Sequence, residues 1–526
     1  FLVPLLSWQL PKLYFINILI PPKLDAIQNT APRCSAATGV ALWPPPPPAP
    51  AGAATTFCNP LDLPYNFQSH QTPYREAADP SMVIYNDTYF LFVSKSAGYF
   101  YSHDLVAWTL VEPQGLPLVD YAPTAMVMDG KMYFTASFSE ALFETDDPFT
   151  GIWTKVAKLG KYWDPFLFQD DDKKVYLAWG CSNMEPIYMV RLDPAFGWRV
   201  VDGPTVVAYG NPTTHGWEHA KFTGVMAMVL GNKPFIEGAW INKVGGRYLL
   251  QYAGPGTELK AYGDGVFVSD VSPMGPYRRD DHSPVSHKPT GFIPGAGHGS
   301  TFQDLEGRWW HICTGVISVR HNFERRVMLF PAYVDPERFP HHLRGPAQTT
   351  APSMLVDTVF GDFPMRLNQT RPAWQLLSLA KRASASSVLS AAHTPAMAFD
   401  EDIQTWWSAA GGSGEWLAVD LGAPMAIHAV QVNFADQDAS VHKRLDDAYH
   451  YFVELSEDEQ TWRPMPELDR RDNVRDAPHE YVELAAPERA RHFRVTATCV
   501  PGGARFSISG LRLFGVGPGR VPDPVP

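Results

Sequence analysis

The chain has 526 residues, 45% of them hydrophobic, with 30 Phe, 21 Tyr, 16 Trp, 49 Pro and 40 Gly. That composition excludes a wholly disordered or fibrous chain, and its aromatic and proline content leans towards β structure with many turns. With 43 basic and 55 acidic residues the net charge is −12, which argues against a general nucleic-acid binder or a protein of anionic membranes.

In chain order, Phe1 to Ile20 is apolar but broken by Ser7, Gln9, Pro11, Lys12 and Asn17. It is too interrupted to span a membrane, and a degraded secretion signal without its charged start fits better. Trp43 to Ala54 reads WPPPPPAPAGAA, an extended spacer that cannot build a core. Residues 1–55 are therefore expected to be leader and linker. Cys34, Cys58, Cys181, Cys313 and Cys499 are too few and scattered for a disulfide scaffold, and without a CxxC pair they make no structural zinc site. Asn86-Asp-Thr88 and Asn368-Gln-Thr370 are glycosylation sequons.

From Glu76 to about Val334 one pattern recurs five times. Ala78-Asp79-Pro80 leads into SMVIYNDTYFLFVS, Tyr121-Ala122-Pro123 into TAMVMDGKMYFTAS, and Trp163-Asp164-Pro165 into FLFQDDDKKVYLAWG. Glu237-Gly238-Ala239 leads into WINKVGGRYLLQYAG, and Gly297-His298-Gly299 into STFQDLEGRWWHICTG. Each copy is a corner, an alternating strand, a turn with Asp, Asn or Gly, and an aromatic-rich second strand. Pro80 to Pro123 is 43 residues and Pro123 to Pro165 is 42, close to one propeller blade each; Asp164 to Glu237 is 73, which predicts an inserted loop. The pattern predicts a five-bladed β-propeller over residues 56–368, with an all-β sandwich as the alternative. In a propeller the corners before the innermost strands face the axis, so Asp79, Tyr121, Asp164, Glu237 and His298 should converge on one cavity. Three carboxylates meeting in a pocket are costly unless they serve a purpose.

Two carboxylates flanking a glycosidic bond can hydrolyse it, one as acid and one activating water, while a third adjusts the acid. Taken together, ADP, WDP and EGAW resemble the motifs of glycoside hydrolase family 43, over residues of about 59 to 365. The resemblance implies that Asp79 is the general base, Glu237 the general acid and Asp164 the modulator that orients the acid. It also implies inversion at the anomeric carbon, and the apolar context PFIEGAW should raise the affinity of Glu237 for its proton. His298 resembles the axial histidine that in the family helps to hold calcium or another cation through water; a structural histidine is the competing reading. Trp163, Tyr121, Trp240 and Trp217 are candidates to stack on sugar, against a default of core packing. Of Arg320, Arg325 and Arg326 in VISVRHNFERRVMLF, one is expected to reach sugar hydroxyls, with Arg325 as the named candidate.

From Ala383 to Phe514 the character changes. ASASSVLSAAHTPAMAFDEDIQTWWSA, GEWLAVDLGAPMAIHAVQVNF, YHYFVELSEDEQTW and RHFRVTAT resemble the discoidin, or coagulation-factor type C, fold that includes carbohydrate-binding module family 32. A discoidin-like β-sandwich is thus expected over residues 369–519, binding carbohydrate or bracing the propeller, with a tail at 520–526. Trp406, Trp407 and Trp416 fit its core. Asp400, Asp402 and Thr405 lie where relatives bind structural calcium, with a solvated acidic loop as the alternative.

The fold class expected is therefore all-β, a propeller followed by a sandwich. The function expected is an exo-acting inverting glycosidase, secreted and monomeric, taking a carbohydrate substrate and removing arabinofuranose, xylose or galactofuranose/galactose-type sugars. No cofactor is required for this chemistry, and calcium is the ion expected at the two places named. No nucleic-acid partner and no membrane span are expected. The alternative is a non-catalytic carbohydrate-binding propeller with a lectin-like appendage.

Overall fold

In the computed structural model the described residues are 56–68, 73–118, 120–220, 231, 233–334, 339, 343, 352–369, 371–440 and 448–517. The expected leader and linker (1–55) and the tail (520–526) lie outside them. Among the described residues there is no α-helix, and no helix is long and apolar enough to cross a membrane.

Five antiparallel sheets follow one another as meanders. Blade 1 comprises Ser81–Tyr85, Thr88–Phe92, Tyr99–Ser102 and Thr109–Val111. Blade 2 comprises Thr124–Met128, Lys131–Thr135, Ala141–Thr145 and Thr154–Lys158. Blade 3 comprises Phe166–Gln169, Val175–Trp179, Ile187–Asp193 and Arg199–Ala208. Blade 4 is built on Glu237–Val244, Arg247–Gly254 and Gly263–Ser269, with Arg278–Arg279 and Ser286–His287 on its outer strand. Blade 5 comprises Gly295–Gln303, Trp309–Val316, Arg325–Tyr333 and Leu355–Val356. Each innermost strand lies against the next, and that of blade 5 returns to that of blade 1, closing the ring.

Strand alternation explains why the propeller core is a set of wedges between blades. On one strand of blade 1, Tyr89 and Leu91 pack against Trp310 and Ile312 of blade 5. The intervening Phe90 and Phe92 pack against Met132 and Phe134 of blade 2. Blades 2 and 3 meet likewise through Met126, Leu142, Leu167 and Leu177.

The corners are tied blade to blade by hydroxyls at the ends of the second strands. The backbone N–H of Ala122 donates to Ser94 Oγ (2.8 Å), that of Asp164 to Ser137 Oγ (2.9 Å), and that of Asp79 to Thr314 Oγ1 (2.9 Å). The last of these joins blade 5 to blade 1. Asp79, Ala122, Asp164, Gly238 and His298 all take left-handed backbone, at φ of 51°, 45°, 48°, 65° and 47°. Glycine adopts this region without strain, and Asp and Asn tolerate it better than other side chains. At Gly238 a Cβ would also lie 2.7 Å from the His298 ring, so glycine there admits the histidine.

In the C-terminal unit Trp416–Phe434 and His479–Cys499 are long strands whose pairing shifts register midway. One half of Trp416–Phe434 pairs with Arg382–Ala385 and the other with Ser507–Val516, so the strands bend from one layer of a β-sandwich to the other. The two layers enclose a single core that includes Trp407, Leu417, Val432, Phe434, Phe493 and Leu511.

The propeller and sandwich share a buried polar interface. Arg75, wholly buried, pairs with Asp436 (2.9 Å) and Asp476 (2.6 Å) of the sandwich. Arg326 donates to His479 Nε2 at 2.6 Å, and Arg512 pairs with Glu401 while also donating to Gln431 and to the Asp362 carbonyl.

Candidate active site

Asp79, Asp164 and Glu237, from blades 1, 3 and 4, are buried around the axis. His298 of blade 5 joins them: its Nδ1 lies 3.4 Å from Asp79 Oδ1 and 3.9 Å from Asp164 Oδ2. The convergence read from the corner residues is thus present. The repeat is offset by one residue in two blades, because Tyr121 and Glu237 directly precede the left-handed positions Ala122 and Gly238.

Each carboxylate has a different electrostatic setting. Asp79 accepts from Ser94 Oγ at 2.6 Å on one oxygen and from Arg325 Nη1 at 2.9 Å on the other. Burial would raise its proton affinity, but Arg325, His298 and Ser94 together hold the carboxyl below the ordinary aspartate value. Asp164 is pushed the opposite way by burial and by the charge of Glu237, with Ser137 Oγ donating to it at 3.3 Å. Glu237 accepts from Tyr262 OH on Oε1 and from Cys181 Sγ, at 3.2 Å, on Oε2. Burial and the neighbouring carboxylates keep the Cys181 thiol protonated, so it is a donor there. For His298 burial favours the neutral ring, but Asp79, Asp164 and Glu237 outweigh it and raise its pKa. Beneath it Asp264 accepts the backbone N–H of both His298 (2.8 Å) and Gly299 (3.0 Å), fixing the corner.

Among the three arginines, Arg325 reaches the pocket. Its guanidinium also donates to Thr257 Oγ1 at 3.0 Å and, through Nε and Nη2, to Glu76 Oε1. Arg320 instead donates to the carbonyls of Ala435 and Asp436 in the sandwich, and Arg326 turns to His479. Tyr121 is half-buried beside Arg325, with Lys95 Nζ 4.2 Å above its ring. Trp163 is 40% exposed and meets the 43% exposed Phe138 edge to face at 4.3 Å, an aromatic pair next to Asp164.

Trp240 requires a correction. Its indole donates to the Thr301 carbonyl at 2.9 Å and its ring lies 4.7 Å from Phe166, so it is packed between blades instead of facing sugar. Trp217 likewise packs, beside Tyr252 at 5.6 Å. The cation expected through water at His298 would find little free oxygen on the nearest carboxylate. Calcium takes six to eight oxygens, whereas both Asp79 oxygens are committed to Ser94 and Arg325, and the guanidinium adds positive charge. Oxygens of Asp164 and Glu237 and the sulfur of Cys181 lie within 4.8 Å of one another, but a thiol is a poor calcium ligand. In the sandwich, Thr405 Oγ1 donates to Asp400 at 2.6 Å, the N–H groups of Asp402 and Gln404 bond to Asp400 and Asp402, and Lys260 Nζ lies 3.9 Å from Asp402. That acidic loop is closed by its own hydrogen bonds. Trp407 is in the core as expected, while Trp406 is half-buried, stacked on His393 and donating to Gln437.

Glu76, Cys181, Tyr262, Ser94 and Ser137 were not among the sequence candidates. The two serines had a readable signal, because each ends the second strand of its repeat copy. Cys181 and Tyr262 lie outside the repeated positions and had none.

The sequence model of glycosyl hydrolases family 43 matches residues 74–340, and that of the F5/8 type C domain matches residues 382–509. A non-reducing-end α-L-arabinofuranosidase of Bacteroides ovatus is 26% identical over 321 residues, 55% of this chain and 54% of that protein. The chain therefore spans about half the length of that curated relative. Among solved structures, a glycoside hydrolase is 16% identical, covering 83% of this chain and 97% of its own, with a TM-score of 0.48. A thermostable family-43 glycoside hydrolase is 18% identical, covering 57% and 99%, with a TM-score of 0.42.

Proposed function

We propose that this chain, which belongs to glycosyl hydrolases family 43 over residues 74–340, cleaves glycosidic bonds by inversion and releases terminal sugars from polysaccharide. The observation that carries the reading is the opposite electrostatic setting of two carboxylates on one axis. Asp79 is held ionised by Arg325 and His298, whereas Asp164, against Glu237, is driven towards the protonated form. Asp79, held ionised, is placed to act as the base, and the proton held by the neighbouring Asp164–Glu237 pair is the one available for the leaving oxygen.

In this reading Asp79 removes a proton from water as its oxygen attacks the anomeric carbon. The bond to the leaving oxygen breaks, and Glu237 supplies that oxygen with a proton. Asp164 keeps a proton within the Asp164–Glu237 pair, because two buried neighbouring carboxylates resist ionising together. Tyr262 and Cys181 fix the direction in which Glu237 points. The exposed Trp163–Phe138 pair offers an apolar face for a sugar ring. The named activity of the Bacteroides ovatus relative makes α-L-arabinofuranosides the first substrates to try, followed by β-xylosides and galactofuranosides. On this reading the protein works outside the cell, where polysaccharide is met.

A panel of nitrophenyl glycosides tests this, with the product anomer followed by proton NMR. Inversion is expected; retention would sink the mechanism. Glu237→Gln should abolish turnover while calorimetry still detects sugar binding, and a variant with full activity would remove Glu237 from the role of acid.

A further inference from the structure

Two short stretches of chain run side by side at the junction of the domains, Tyr74–Glu76 and the start of Arg325–Tyr333. The Ala77 N–H donates to the Arg325 carbonyl at 3.3 Å, and Arg326 Nη1 donates to the Arg75 carbonyl at 2.7 Å. Successive side chains on such a segment point to opposite sides. Glu76 and Arg325 therefore face the pocket, and Arg75 and Arg326 face the sandwich.

On the pocket side Glu76 Oε1 accepts both Nε and Nη2 of Arg325, which leaves Nη1 aimed at Asp79 Oδ1 (2.9 Å) and Thr257. On the sandwich side all five N–H groups of Arg75 are used. Nε meets Asp436, Nη1 meets the Tyr65 carbonyl and Asp476, and Nη2 meets Asp436 and Asp476. Asp436 is oriented in turn by Tyr449 OH at 2.7 Å. Arg326 donates to His479 Nε2, and the other ring nitrogen of His479 lies 2.9 Å from Asn433 Oδ1. Burial and the two arginines keep that imidazole neutral, which lets Nε2 accept.

We propose that Glu76 is a positioning residue for Asp79: it holds Arg325 against the Asp79 carboxylate, and the C-terminal sandwich holds both through their neighbours Arg75 and Arg326. The role rests on the reading of Asp79 as the base. It gives the sandwich a part in catalysis without any sugar bound to it. A bidentate guanidinium is rigid, so a shift of Arg75 on its sandwich partners is passed along the backbone to the adjacent Glu76.

The test uses the full chain and an aryl glycoside that the wild type hydrolyses. Glu76→Ala should lower kcat about 100-fold with KM changed less than about threefold, the scale at which a small misplacement acts on a reacting group. Glu76→Gln keeps an oxygen for both Arg325 bonds and should recover about tenfold of that loss. It also serves as the second variant if the alanine chain does not fold. Asp476→Asn, which touches nothing in the pocket, should lower kcat about three- to tenfold. It should also move the acidic limb of kcat/KM to higher pH, because a loosened Arg325 no longer holds the Asp79 carboxyl down. A purely structural brace would lower Tm and leave both kcat and the limb alone. Folded Glu76→Ala or Glu76→Gln together with Asp476→Asn, all keeping wild-type kcat and acidic limb, overturn the proposal. A wild type inert on the whole panel ends the glycosidase reading instead. Crystal structures of wild type and Glu76→Gln or Glu76→Ala then decide, support coming from Arg325 displaced from Asp79 in the alanine chain and refutation from Arg325 unmoved.

Discussion

The two folded regions use the same strand alternation and reach opposite results. In the sandwich, inward positions of both layers meet in one core, so Trp407, Val432 and Leu511 answer only to packing. In the propeller, both faces of a blade are buried against its neighbours, which leaves the strand starts as the place where polar groups can gather. Five left-handed corners point their side chains or backbone at one axis, and closing the ring brings carboxylates from three blades together. Buried polar residues of the sandwich such as Asp436 and His479 lie instead at its border with the propeller. A single core has no axis at which such groups can meet.

The comparison predicts that function and stability separate: a substitution at the axis should cost activity, and one in the sandwich core should cost stability. The largest expected effect is at Asp79→Asn. Activity should fall about 10²–10⁴-fold, the scale of a lost general base. Asparagine tolerates the left-handed corner, so denaturant unfolding should register a loss of only about 1 kcal/mol. That loss has a sign: a carboxyl held below its ordinary value stabilises the fold above the unfolded pKa, and the contribution disappears as pH falls through the folded value. A drop in stability as large as that of a core truncation would break the contrast.

The second expected effect is the reverse. Trp407→Ala, in the centre of the sandwich, should cost about 3–5 kcal/mol in urea unfolding and leave kcat per folded molecule unchanged. Reduced kcat in folded protein would mean that the sandwich core and the pocket are not separate. The smallest effect sharpens the comparison within the axis itself. The Asp164 carboxyl has a raised pKa, so the folded state binds its proton more tightly than the unfolded chain does, and stability declines as pH rises above the ordinary value of 3.8. Asp164→Asn should remove that decline, so that its stability relative to wild type rises between pH 4 and pH 7. Thermal melts across this range check it, and equal effects at both pH values would contradict the assignment.

Much of the site was legible because a repeat marks equivalent positions. ADP, WDP, EGA and GHG mark Asp79, Asp164, Glu237 and His298 in the sequence, and the structure gathers all four. Tyr121 was found by the same rule. Trp240 was misread because a tryptophan three residues from Glu237 looks adjacent to the pocket. A register shift between Glu237 and Trp240 and the bond to Thr301 place its ring between blades. The calcium expected through water at His298 came from resemblance, and the nearby Asp79 oxygens are bonded to Arg325 and Ser94.

The sequence by itself determined the strands, the five corners, the change of character after the propeller, and which carboxylates could meet. These follow from local patterns, namely period-two alternation, turn chemistry and a recurring spacing. Only the tertiary structure decided which of three arginines enters the pocket, that Glu76 stands behind it, and that Cys181 and Tyr262 hold Glu237. Alternation assigns a side chain to a face, but what lies across from that face depends on ring closure and on how the sandwich docks. Arg325 and Arg326 differ in nothing a sequence displays, and one residue of register sends the first to the Asp79 carboxylate and the second to His479.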